Sequence, residues 1–68
     1  MIDARGYSCP TPVVMVQTEY RRLNAPDCLE VLVDDPCAVQ NVTRFGQNMG
    51  YQVETQIEGH DFRLTLSK

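Results

Sequence analysis

Hydrophobic and polar residues alternate along this chain with two different periods, and each change of period falls at a proline or a glycine. Ile2-Asp3-Ala4-Arg5 alternates by twos and stops at Gly6, the pattern of a short first strand. From Pro12 the period lengthens. Val13, Val16, Tyr20 and Leu23 recur at helical spacing, with Gln17, Thr18, Arg21 and Arg22 falling elsewhere. A residue before proline avoids helical backbone angles, so Thr11 is expected as the N-cap and Pro12 as the first helical residue. Asn24-Ala25-Pro26-Asp27 ends that helix.

Leu29, Val31 and Val33 then alternate with Cys28, Glu30 and Leu32, a second strand with at least one apolar face. Asp34-Asp35-Pro36 repeats the grammar of a helix start, with Asp35 as N-cap. Ala38, Val42, Phe45 and Met49 form the apolar stripe of a second helix, and Gly50 fits the C′ position, where left-handed backbone is common. Gly46 weakens the stripe. Tyr51, Val53, Thr55 and Ile57 share one face of a third strand, with Gln52, Glu54 and Gln56 on the other. Glu58-Gly59-His60-Asp61 is a turn, after which Phe62, Leu64 and Leu66 alternate with Arg63 and Thr65. These last strands read as a hairpin with one dry and one wet face. The order is βαβαββ. A sheet with one polar face is covered by helices on one side only. The expected fold is therefore an α/β (α+β) two-layer sandwich, a four-stranded mixed sheet with two helices on one face, forming a single domain over residues 1–68.

Composition supports an ordered globule. Leu, Ile, Val and Phe make up 17 of 68 residues, above the roughly 20% below which chains tend toward disorder. The net charge of −3 and the single lysine, Lys68, argue against direct nucleic-acid binding. Arg21-Arg22, the only adjacent basic pair, is expected to face solvent. No apolar stretch approaches the ~20 residues of a membrane span, so the chain is not expected to be membrane-embedded. Three cysteines without a visible export signal point to a reducing, cytoplasmic setting. Their odd number argues against a disulfide framework. Cys9, Cys28, Cys37 and His60 lack C-x-x-C or H-x-x-x-H spacing, so no metal site is expected.

The candidate chemistry sits in Cys9-Pro10-Thr11-Pro12, just ahead of the first helix. Unsatisfied N–H groups and the helix dipole at a helix start favour a thiolate, the nucleophilic form of cysteine. The two prolines fix their own backbone angles and restrict the residue before each, so the segment is stiff and holds the thiol out. They also remove N–H donors, and the helix dipole adds only about 0.3–1 kcal/mol, so a mildly activated rather than fully ionised thiol is expected. Such a thiol suits a carrier that accepts and then releases sulfur. No general base is evident, because the lone histidine, His60, falls in a hairpin turn and reads as a solvated turn residue. Cys37, in the first turn of the second helix, shares the same electrostatic setting more weakly and is a candidate second thiol, though packing of that helix is its plainer reading. Cys28, at a strand start, reads as structural.

Four features together resemble the TusA/SirA-like family over the whole chain. They are Arg5-Gly6, the C-P-x-P run Cys9 to Pro12, Asp34-Asp35-Pro36 opening the second helix, and Gly50-Tyr51 closing it. The resemblance implies the βαβαββ fold and a sulfurtransferase of the persulfide-relay type, with sulfur carried on Cys9 and no cofactor. It implies a sulfur-donor protein, such as a cysteine desulfurase or rhodanese-like protein, and an acceptor that is a sulfur-relay protein or transporter. The routes served within the family include tRNA thiolation, thiosulfate uptake, sulfur oxidation and selenium metabolism. Partner choice would fall to the surface around Cys9, mainly Thr11, Met15 and the helix start at Asp35. The competing expectation is a non-enzymatic redox-sensing or protein-interaction module that uses the same thiol.

Overall fold

The structure, a computed structural model, describes residues 1–68. The two periods resolve into β1 (Ile2–Asp3), α1 (Thr11–Arg22), β2 (Cys28–Val33), α2 (Pro36–Asn48), β3 (Gln52–Glu58) and β4 (Asp61–Ser67). The four strands form one mixed sheet in the order β1-β2-β4-β3, with β1 parallel to β2 and the remaining pairs antiparallel. A parallel pair needs a long crossover, and α1 supplies it. The α+β fold expected from the sequence is the one observed.

Register explains the single core. Leu29, Val31 and Val33 of β2 lie opposite Leu66, Leu64 and Phe62 of β4, which in turn oppose Val53, Thr55 and Ile57 of β3. Because side chains alternate across a strand, all of these share one face. Val16 of α1 and Ala38 and Val42 of α2 join the same buried cluster, so both helices lie on that face. Full burial of a Val or Leu stabilises by about 1.5–3 kcal/mol, and Val16, Val31, Val33, Val42, Leu64 and Leu66 are all fully buried.

Gly46 has a packing role that the sequence pattern did not disclose. A Cβ there would come within 2.7 Å of a Val53 methyl and 2.8 Å of a Leu66 methyl. The helix thus approaches the sheet more closely than any larger residue would allow. Gly50 has φ +87° directly after the Met49 C-cap, as its position implied. Gly59 has φ +66° at the first position of the two-residue turn between Glu58 and Asp61, where β-hairpins favour glycine.

At the end where α1 and α2 finish, Tyr20 meets Phe45 and Tyr51 edge-on, with ring centroids 5.7 and 6.2 Å apart. The Tyr51 hydroxyl donates to the Pro26 carbonyl, and burial pushes its phenol pKa up. This aromatic cluster anchors the α1–β2 connection.

Several local expectations are corrected. The first strand is only two residues long, although the Ala4 N–H still donates to the Leu32 carbonyl at 2.8 Å. The N-cap of α1 is Pro10 rather than Thr11, with no side-chain cap bond. The Thr11 N–H is already taken by the Ser8 carbonyl at 3.0 Å, and that turn draws Thr11 into the helix. Leu23 and Met49 are exposed because they are the C-caps, one residue past each helix. Ile57 is 75% exposed although it lies on the dry face. It sits near the tip of an edge strand whose outer half no helix covers.

Candidate functional site

Both helices begin beyond the carboxyl ends of the parallel strands, β1 leading to α1 and β2 to α2. The topology therefore brings the loop at residues 4–10 beside residues 34–37. Two consecutive aspartates tie them together. Asp34 Oδ2 accepts from the Gly6 N–H at 2.9 Å, and Asp35 Oδ2 accepts from the Cys9 N–H at 3.2 Å. The other oxygen of Asp35 accepts from the Cys37 N–H at 3.0 Å, as the expected N-cap. One carboxylate thus holds the backbones of two cysteines.

The two sulfurs share one neighbour, Asn41. Asn41 Nδ2 lies 2.6 Å from Cys9 Sγ and 3.9 Å from Cys37 Sγ. Asn41 is one helical turn beyond Cys37, so the two side chains stack on the face of α2 that looks toward α1. The Cys37 thiol pKa is pushed up. The main cause is its hydrogen bond with Cys9, followed by burial, negative charge at Cys9 and the Asp35 carboxylate. The Asn41 amide, 2.6 Å from the Cys9 sulfur, is the kind of donor that negative charge there would require.

Cys9 is half-buried and Cys37 exposed, and both are free thiols. Pro10 and Thr11 are exposed beside Cys9, whereas Pro12 is buried and wedges α1 against the core. The Cys9–Pro10 peptide bond is cis. With prolines at 10 and 12 and Thr11 bonded to Ser8, Val13 carries the one backbone N–H at the mouth of α1 without a partner in the chain.

The other candidates fall elsewhere. Cys28 is exposed at the start of β2, on the sheet face away from the helices, so it is not a core residue as expected. The His60 side chain, exposed in the hairpin turn, makes no hydrogen bond or ion pair. Sequence reasoning missed Asn41, whose only signal was its spacing of four residues from Cys37.

Arg21 and Arg22 are both exposed, as expected, but they differ in their neighbours. Arg22 pairs with Glu19 at 2.6 Å, while Arg21 lines a groove of about 510 Å³ between the helices, together with Gln17, Asn41, Arg44 and Asn48. Arg21 and Arg44 are the only arginines without a carboxylate partner. The groove begins at Asn41, beside the thiols.

A small α+β fold with two thiols at its helix starts, one half-buried and one exposed, has the makings of a sulfur carrier. The family profile described as Sulfurtransferase TusA matches residues 1–68, and the chain belongs to that family of sulfur carriers. It is 34% identical over 58 residues to the sulfur carrier protein TusA of Pseudomonas putida (strain W619), covering 85% of this chain and 72% of the relative. It is 35% identical over 68 residues to a putative sulfur carrier protein of Methanocaldococcus jannaschii, covering 98% of this chain and 91% of the other. The crystal structure of a SirA-like protein from Desulfitobacterium hafniense superposes with a TM-score of 0.85 at 31% identity, over 97% of this chain and 92% of that one. No helix is long and apolar enough to cross a membrane.

Proposed function

We propose that this protein, acting as one TusA-like unit over residues 1–68, accepts sulfur as a persulfide on Cys9 and hands it to an acceptor protein. The observation that carries the reading is the position of Cys9. It lies at the mouth of α1, partly open to solvent, with the Asn41 amide 2.6 Å from its sulfur.

In the loading step the Cys9 thiolate attacks the terminal sulfur of a donor persulfide, and the donor's own thiolate leaves. In delivery an acceptor thiolate attacks the outer sulfur, and Cys9 is the leaving group. Thiolates serve as both nucleophile and leaving group, so no general base is needed. The Asn41 amide donates to Cys9 Sγ while charge resides there, and the Asp35 bond to the Cys9 N–H fixes the direction of approach. Donors of the cysteine desulfurase or rhodanese-like class, and a relay protein or transporter as acceptor, fit this chemistry in a cytoplasmic setting. Exposed Thr11 and half-buried Met15, with the helix start at Asp35, form the surface on which such partners are distinguished.

Labelled sulfur from a persulfide donor tests the reading. One sulfur atom per chain should appear on the wild-type protein, map to Cys9 and be absent from Cys9→Ser. Equal labelling of Cys9→Ser would sink the assignment. The adjacent thiols also fit redox sensing, which instead requires peroxide to close a Cys9–Cys37 disulfide in protein that takes up no sulfur.

A further inference from the structure

Cys37 has no part in the relay just described, yet the fold places it on the same two groups that hold Cys9. Asp35 accepts from both backbone N–H groups, at 3.2 and 3.0 Å. Asn41 Nδ2 touches both sulfurs, at 2.6 and 3.9 Å. Neither thiol is fully buried, and no disulfide joins them. A second nucleophile held this way reacts at an effective concentration that no thiol in solution reaches.

We propose that Cys37 is a resolving thiol, which discharges sulfur held on Cys9 as sulfide and closes a Cys9–Cys37 disulfide. The inference rests on the carrier reading of Cys9. In the loaded protein Cys9 Sγ is bonded to one outer sulfur. The Cys37 sulfur attacks Cys9 Sγ, the inner atom, because the two sulfurs share the Asn41 amide, at 3.9 and 2.6 Å. The new Sγ–Sγ bond forms as the bond to the outer sulfur breaks. The departing sulfur takes the electron pair and the Cys37 proton and leaves as hydrosulfide. The two cysteine sulfurs are oxidised and the outer sulfur is reduced, so no external oxidant enters. Return to the dithiol requires a dithiol reductant.

Retention and discharge then compete. While Cys37 keeps its proton it is a poor nucleophile, because only the thiolate attacks efficiently. The Asp35 carboxylate, which accepts from the Cys37 N–H at 3.0 Å, favours that protonated state. The loaded protein therefore holds its sulfur long enough for a partner to collect it, and sulfur that is not collected leaves as sulfide.

The test uses the full chain with Cys28→Ser, which removes the remote exposed thiol. Protein is loaded with inorganic polysulfide, desalted without air, and followed by intact mass and by trapping of free sulfide. The species one sulfur heavier should decay to one that is two hydrogens lighter than the dithiol, with one sulfide released per chain. Cys37→Ser and Cys37→Ala should retain the added sulfur for roughly tenfold longer or more. Equal decay in these variants overturns the proposal, as does sulfide release without the disulfide. Migration of the added sulfur to Cys37, read by peptide mapping, also overturns it, since that would mean attack on the outer atom. If Cys9 takes up no sulfur at all, the carrier reading falls and this step with it. Loading on Cys9 without a Cys37 effect removes this step alone.

Discussion

The two helices of this protein open in opposite ways, although each has a proline in its first two positions and a cysteine close by. At α2 every available N–H is engaged. Pro36 has none, Cys37 donates to the Asp35 side chain, and Ala38 and Val39 donate to the Asp35 carbonyl. At α1 no side chain caps the helix, and Val13 keeps a free N–H. A carboxylate at a helix start stabilises the helix but repels any other anion from the same place. The contrast is one of construction: α2 is capped and its thiol pKa is raised, whereas α1 has no side-chain cap and leaves the Val13 N–H free.

The largest test of that contrast exchanges the thiols one at a time. Cys9→Ser should lose all sulfur loading, whereas Cys37→Ser should load fully when assayed at once by mass. Equal losses would mean that the two helix starts are equivalent. Next in size is Asp35→Ala, which removes the cap and unties both cysteine backbones. A lost cap costs about 0.5–2 kcal/mol, and each kcal/mol corresponds to about 4–8 °C in Tm for a domain of this size. An unchanged thermal transition would show that Asp35 does not hold α2.

A smaller effect concerns the proton on Cys37. Its pKa is raised, so at a given pH less of it is thiolate than in a free cysteine, and its alkylation rate should climb only at higher pH. With Cys28→Ser as background, Cys9→Ala should move that profile toward lower pH more than Asp35→Asn does, because the hydrogen bond to Cys9 is the larger cause. The reverse order in a site-resolved alkylation series would reassign the shift to the carboxylate. Smallest of all is Thr11→Ala. Thr11 caps nothing, so the change should fall within the roughly 0.5 kcal/mol typical of surface sites. A drop in Tm as large as that of Asp35→Ala would restore Thr11 as the cap.

The sequence was most readable where a single residue dictates backbone geometry. Asp35 before Pro36, Gly50 after α2 and Gly59 in the hairpin each behave as their chemistry requires. The start of α1 was less readable, because Thr11 lies between two prolines and its bond to the Ser8 carbonyl decides where the helix begins. Alternation showed which residues share a sheet face but not what covers that face, so Ile57 looked buried from its pattern alone. Gly46 looked like a weak helical position, since its close neighbours Val53 and Leu66 come from distant strands. Asn41 was illegible for the same reason. Its importance depends on Cys9, thirty-two residues away, and only the crossover brings them together.

The outermost strand, β3, has its far edge unpaired, and such rims invite a second chain to add itself to the sheet. Glu54 and Glu58 stand exposed along this rim. Two copies meeting there would bring carboxylate against carboxylate. A border of like charge of this kind works against strand addition by a second copy, which would leave a carrier of the proposed type free for its partners.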